Sequence, residues 1–239
     1  MDRILIALDV SSADDALRLA DRLRGTVGGY KIGSQLFTAA GPDVVRSLVR
    51  NGDRVFLDLK FHDIPNTVAG AVTSACELGV WMMNVHASGG EKMMRAAREA
   101  ADLTADANLV RPLLIAVTVL TSMDAPTLRS IGVESTPMEQ VVRLARMVKT
   151  AGLDGVVASP LETEAIRDAC GPDFLIVTPG IRGGAAGTGL DDQSRTSTPA
   201  GAIAAGSSYL VIGRPITAAL DPREAAIKIG EEIGSGPGR

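Results

Sequence analysis

The chain has 239 residues, 46% hydrophobic, 22% charged and 3% aromatic, with a formal net charge of −4. That size and balance fit a globular protein with a sizeable core, and the mild acidity and scarce aromatics argue against a nucleic-acid surface. No apolar run is long enough to span a membrane, the start "MDRILIALDVSSADD" lacks a signal peptide's basic opening and long apolar core, and Cys76 and Cys170 form no C-x-x-C pair; a soluble cytoplasmic protein without a disulfide framework or zinc site is expected.

Along the chain, short apolar runs alternate with longer Ala- and charge-rich stretches of helical character. Strands are predicted at 3–10, 30–33, 54–60, 81–87, 112–120, 155–159, 174–180 and 209–214. Helices are predicted near 12–24, 42–51, 66–79, 89–105, 136–151, 161–170, 198–205 and 221–233. Ser12, Ser88 and Asp221 stand where helix N-caps belong, the last followed by Pro222. Gly25, Gly52, Gly79, Gly152 and Gly171 stand just past helix ends, where a left-handed residue is wanted.

Eight such βα units without a linker or composition break predict one (β/α)8 TIM barrel domain over residues 1–239. A doubly wound open sheet is the alternative, but no G-x-G-x-x-G opens the first helix. In barrels the working residues sit at the C-terminal ends of the strands and in the loops beyond them.

Those ends carry charges. In "VFLDLKFHDIPNT" (55–67), alternation puts Phe56, Asp58 and Lys60 on one face and Val55, Leu57 and Leu59 on the other. The aliphatics suit a helix layer, so Asp58 and Lys60 point inward. An exposed i,i+2 ion pair on an edge strand is the bland alternative, but a barrel has no edge strands. The same alternation turns Asp9 inward at the end of the first strand, and Lys31 ends the second. A helix cap for Asp9 and a snorkelling side chain for Lys31 are the local alternatives. Taken together, three strands deliver Asp, Lys, Asp and Lys to one rim.

Strand four offers Asn84 and His86 on one face, with His86 read as a structural hydrogen-bonder. Strand five ends in Thr121 and Ser122. Strand seven ends "VTPGIR" and runs into the Gly-rich "GGAAGTGLDDQSRTST", read as a lid over ligand flanked by Arg182 and Gln193. Strand eight ends in Gly213 and Arg214, where these barrels bind phosphate through backbone amides and a guanidinium clamp.

The motifs "ALDV", "YKIG", "LDLKFHDIPNTV", "VNVHASGG", "VTVLTS", "TPGIR", "DQSRTSTPA" and "YLVIGRPIT" make the whole chain resemble the orotidine 5′-phosphate decarboxylase family. The run D-x-K-x-x-D-[IV]-P-x-T is its specific part, and no matched functional position departs from the pattern. The resemblance implies a cofactor-free homodimer that decarboxylates orotidine 5′-monophosphate to UMP. Lys60 would protonate C6, Asp58 would face the departing carboxylate, and Asp63 and Ile64, with Thr67 beside them, would reach into the partner's site. Asp9 and Lys31 would hold ribose hydroxyls, and Thr121 or Ser122 the base, with Pro179 lining its pocket. Arg182, Gln193, Gly213 and Arg214 would hold the phosphate.

Two rivals remain. Related sugar-phosphate barrels, ketogulonate-phosphate decarboxylase and hexulose-phosphate synthase, share a D-x-K-x-x-D strand. They use magnesium and an acidic residue near the end of strand two, where this chain has Lys31. A non-catalytic phosphate-binding barrel would keep Arg214 but has no use for Asp58 and Lys60 together.

Overall fold

Parallel strands that are apolar on both faces need cover on both, and intervening helices supply the outer layer. The computed structural model describes residues 1–106, 110–181 and 197–234. Among them, eight parallel strands close in chain order into a barrel. These are β1 (Ile4–Ala7), β2 (Gly29–Gly33), β3 (Val55–Phe61), β4 (Met82–His86), β5 (Leu113–Val117), β6 (Gly155–Val157), β7 (Leu175–Thr178) and β8 (Tyr209–Ile212). The helices are α1 (Ala13–Leu23), α2 (Ser34–Ala40), α3 (Asp43–Arg50), α4 (Pro65–Glu77), α5 (Gly90–Asp106), α6 (Ala125–Ser130), α7 (Pro137–Thr150), α8 (Thr163–Cys170), α9 (Pro199–Ala204), α10 (Arg214–Thr217) and α11 (Pro222–Gly234).

The alternation read from β3 separates two cores. Phe56 joins Leu5, Met82, Ile115 and Val177 inside the barrel, while Val55 and Leu57 join the larger core between strands and helices. The N-terminal mouth is plugged by Trp81 against Tyr209, edge to face at 5.2 Å, with the Arg54 guanidinium 5.4 Å from the Trp81 ring. Apolar side chains thus fill the barrel interior.

Local chemistry sets most helix ends. The Ser12 hydroxyl accepts from the Asp15 amide at 3.1 Å, and the Asp221 carboxylate accepts from the Arg223 and Glu224 amides. The five glycines expected past helix ends all have φ between +76° and +87°. Ser88 is different. It lies inside a 3₁₀ turn, Ala87–Gly89, and α5 begins only at Gly90, whose φ of +85° separates turn from helix. Within that turn residue 89 has no room for a side chain: a Cβ there would stand 2.2 Å from the Met93 sulfur. The short helices α2, α6 and α10 lie outside the expected helices, and strands one, five, six, seven and eight stop two or three residues early, leaving their polar ends, Asp9 among them, in loops. Among the described residues, no helix is long and apolar enough to cross a membrane.

Candidate active site

Four charged side chains, Asp9 from the loop after β1, Lys31 from β2 and Asp58 and Lys60 from β3, form a chain of ion pairs at the C-terminal rim. The Lys31 Nζ lies 2.9 Å from Asp9 Oδ1 and 3.6 Å from Asp58 Oδ2, and the Lys60 Nζ lies 2.8 Å from Asp58 Oδ1. Side-chain exposure is 10% at Lys31 and 13% at Asp58, but 33% at Lys60 and 56% at Asp9. The middle of the network is therefore shielded from water while its two ends are open to a ligand. Removing one partner of such a buried set leaves an uncompensated charge, which is far costlier than losing a surface pair. Gly33 makes the packing possible: a Cβ there would stand 3.0 Å from the Lys31 Nζ.

Simple alternation does not carry β3 to its end. The β3–β4 register runs Leu57 to Met83 and then Phe61 to Val85, so Asp58, Leu59 and Lys60 face the single residue Asn84. This bulge is where Lys60 takes φ +55°, the one non-glycine with positive φ among the described residues. Left-handed backbone at a long side chain costs about 1–2 kcal/mol and persists only where the surroundings enforce it. Asn84 is fully buried. Its Oδ1 accepts from the Lys60 backbone amide at 2.8 Å, and its Nδ2 donates to Asp58 Oδ1 at 2.7 Å. Sequence alternation had turned Asn84 inward without finding its partners.

The other expected residues occupy the same end of the barrel without joining the ion-pair chain. Thr121 and Ser122 lie in the turn after β5, Pro179 follows β7, and Gly213 and Arg214 follow β8. Asp63, Ile64 and Thr67 belong to an exposed segment, residues 62–67, that leads into α4. There the Asp63 carboxylate accepts from the Ile64 amide at 2.6 Å, and Ile64, before Pro65, is held extended at ψ 153°. Arg182, Gln193 and the Gly-rich stretch between them lie outside the described residues. Among the described residues, no group of three or more His, Cys, Asp or Glu side chains is placed to hold a metal.

His86 packs its ring on His62, centroids 5.4 Å apart. Burial pushes its pKa below the ordinary histidine value; His62 and Lys60 push the same way, and Asp58 opposes them. The folded state therefore prefers neutral His86. Its contribution to stability is present above the unfolded pKa of about 6.5 and is lost as pH falls through the lower folded value. Urea midpoints measured at several pH values should fall on acidification below about 6.5, and His86→Gln should flatten that fall. Parallel wild-type and variant curves would show that His86 does not contribute.

Residues 2–229 match the model of the family described as orotidine 5′-phosphate decarboxylase / HUMPS. The chain belongs to this family. It is 55% identical over 234 residues to the orotidine 5′-phosphate decarboxylase of Moorella thermoacetica, covering 97% of this chain and 92% of that protein. It is 56% identical over 232 residues to the enzyme of that name from Syntrophotalea carbinolica, covering 97% and 94%. The crystal structure of orotidine 5′-phosphate decarboxylase from Lactobacillus acidophilus superposes with a TM-score of 0.86 at 38% identity, over 97% of this chain and 99% of that one. The family likeness thus spans the barrel.

Proposed function

We propose that this protein converts orotidine 5′-monophosphate to UMP and CO2, the closing step of pyrimidine nucleotide synthesis. The observation that carries the reading is the Asp58–Lys60 pair at 2.8 Å on the β3 bulge, with Lys31 on the far oxygen of Asp58. Breaking the bond from C6 to the carboxylate leaves an electron pair in the plane of the pyrimidine ring. The ring π system cannot take up that pair, and no pyridoxal or thiamine sink reaches it. Fixed charge is what remains to stabilise it.

Asp58 lies against the substrate carboxylate and is relieved as CO2 leaves. The Lys60 ammonium faces C6, stabilises the growing charge and gives it a proton, regaining one from solvent afterwards. A charge pair about 4 Å apart is worth about 1 kcal/mol in water and about 4 kcal/mol at a protein-like dielectric, so shielding the pair matters. Asp9 and Lys31 hold ribose hydroxyls, Thr121 or Ser122 bonds the base, and Pro179 lines the base pocket. Gly213 and Arg214, with Arg182 and Gln193, hold the phosphate, whose binding energy closes the site. The test is to supply orotidine 5′-monophosphate and quantify UMP and CO2, with ketogulonate and hexulose phosphates plus magnesium as controls. One UMP per CO2 supports the reading. Turnover of a sugar phosphate instead, or of neither, overturns it.

The working unit in this reading is a homodimer in which Asp63, Ile64 and Thr67 enter the partner's site. Support comes from the exposed 62–67 segment, the 66% exposure of Ile64 and the extended backbone before Pro65. A two-fold contact of this kind is reciprocal. Mixing inactive Lys60→Ala and Asp63→Asn subunits then puts both lesions in one site of a mixed dimer and none in the other. After random exchange of equal amounts, about a quarter of all sites should be intact. If mass spectrometry shows exchange and no activity returns, Asp63 serves its own subunit.

A further inference from the structure

Two residues more on β3 than on β4 is an unusual way to end a barrel strand, and the excess falls on the two groups assigned to the chemistry. The bulge has one buried polar side chain opposite it. We infer that Asn84 is a positioning residue for the proposed decarboxylation: its amide ties the Lys60 backbone to the Asp58 carboxylate, so that both charges are aimed as one unit. The inference rests on the proposed function.

Both ends of the amide are used, which fixes its orientation. The Oδ1 takes the Lys60 N–H and the Nδ2 gives to Asp58 Oδ1, the same oxygen that receives the Lys60 ammonium at 2.8 Å. Asp58 Oδ1 therefore sits between two donors, one rigid and one on a flexible stem, and Oδ2 is left towards Lys31 at 3.6 Å. The same side chain supplies an acceptor to the one residue held at φ +55°, offsetting part of that strain. The site otherwise favours an apolar residue: Met82, two positions earlier on the inward face of β4, belongs to the barrel core. A buried amide costs free energy unless both ends are bonded. An aliphatic residue at 84 would pack there but would leave the Lys60 amide without this acceptor and Asp58 without its rigid donor. Side chains that carry chemistry lose it when displaced by about 1 Å, typically about 10²-fold.

The test uses Asn84→Ala and Asn84→Asp, with wild type and Lys60→Ala assayed alongside. The aspartate keeps the shape and the acceptor for the Lys60 amide but sets an oxygen against Asp58 Oδ1 where a donor stood. In both variants kcat per UMP-binding site should fall about 10²-fold or more. The KM for orotidine 5′-monophosphate and the Kd for UMP should stay within about threefold, because ribose and phosphate contacts lie on other strands. A merely structural Asn84 would lower the melting temperature and leave kcat per UMP-binding site unchanged. A folded Asn84 variant with kcat within about threefold of wild type overturns the inference, as does failure of both variants to fold. An inactive wild type, or an active Lys60→Ala, would instead refute the proposed function beneath it.

Discussion

Lys60→Ala should lose turnover by many orders of magnitude and still bind UMP. In the proposed mechanism the variant removes both the cation beside C6 and the proton that C6 receives, and enzymes lower barriers by up to about 23 kcal/mol, so a very large loss has room to appear. The backbone is not the cause, because alanine at φ +55° meets the same left-handed penalty that lysine meets. The proposed phosphate and ribose contacts come from other strands and loops, so UMP affinity measures whether the pocket survives. Asp58 keeps Lys31 at 3.6 Å and Asn84 at 2.7 Å, which limits the structural cost. The measurement is single-turnover conversion under saturating substrate. Retention of more than about a tenth of wild-type kcat would refute the assignment of Lys60.

Arg214→Ala should lower kcat/KM by about 10²–10⁴, the equivalent of about 3–5 kcal/mol for a desolvated bidentate guanidinium–phosphate pair. Arg214 is exposed at the end of β8, beyond Ile212, in the region where a phosphate would lie against the loops after the last two strands. The loss should be specific to the phosphate. Wild type should prefer the nucleotide over its nucleoside strongly, the variant much less, and free guanidinium should restore part of the difference. Unchanged discrimination between nucleotide and nucleoside would show that Arg214 does not hold the phosphate.

The barrel was legible because its signal is repeated eight times and each unit is punctuated by local chemistry. Ser12, Asp221 and the glycines past helix ends behave as their side chains dictate. Ser88 has cap chemistry but stands inside a 3₁₀ turn, and the helix begins only at Gly90. Helices α2, α6 and α10 run only four to seven residues, too short for a 3.6-residue period to register. At the rim, alternation along β3 singled out Asp58 and Lys60, but it does not hold through the bulge that carries Lys60. The bulge that aims them was not legible, since an excess of residues on one strand is a property of register against its neighbour. Asn84 was hidden for the same reason: its direction follows from its own strand, its partners from the one beside it.

In the proposed mechanism fixed protein charges carry out the decarboxylation unaided by a metal or an organic cofactor. The direct measurement is the loss of orotidine 5′-monophosphate absorbance by purified protein treated with excess chelator and dialysed, with UMP confirmed by chromatography. The charged rim formed by Asp9, Lys31, Asp58 and Lys60 predicts undiminished turnover that added magnesium does not raise. Turnover that vanishes on chelation and returns with magnesium would contradict it.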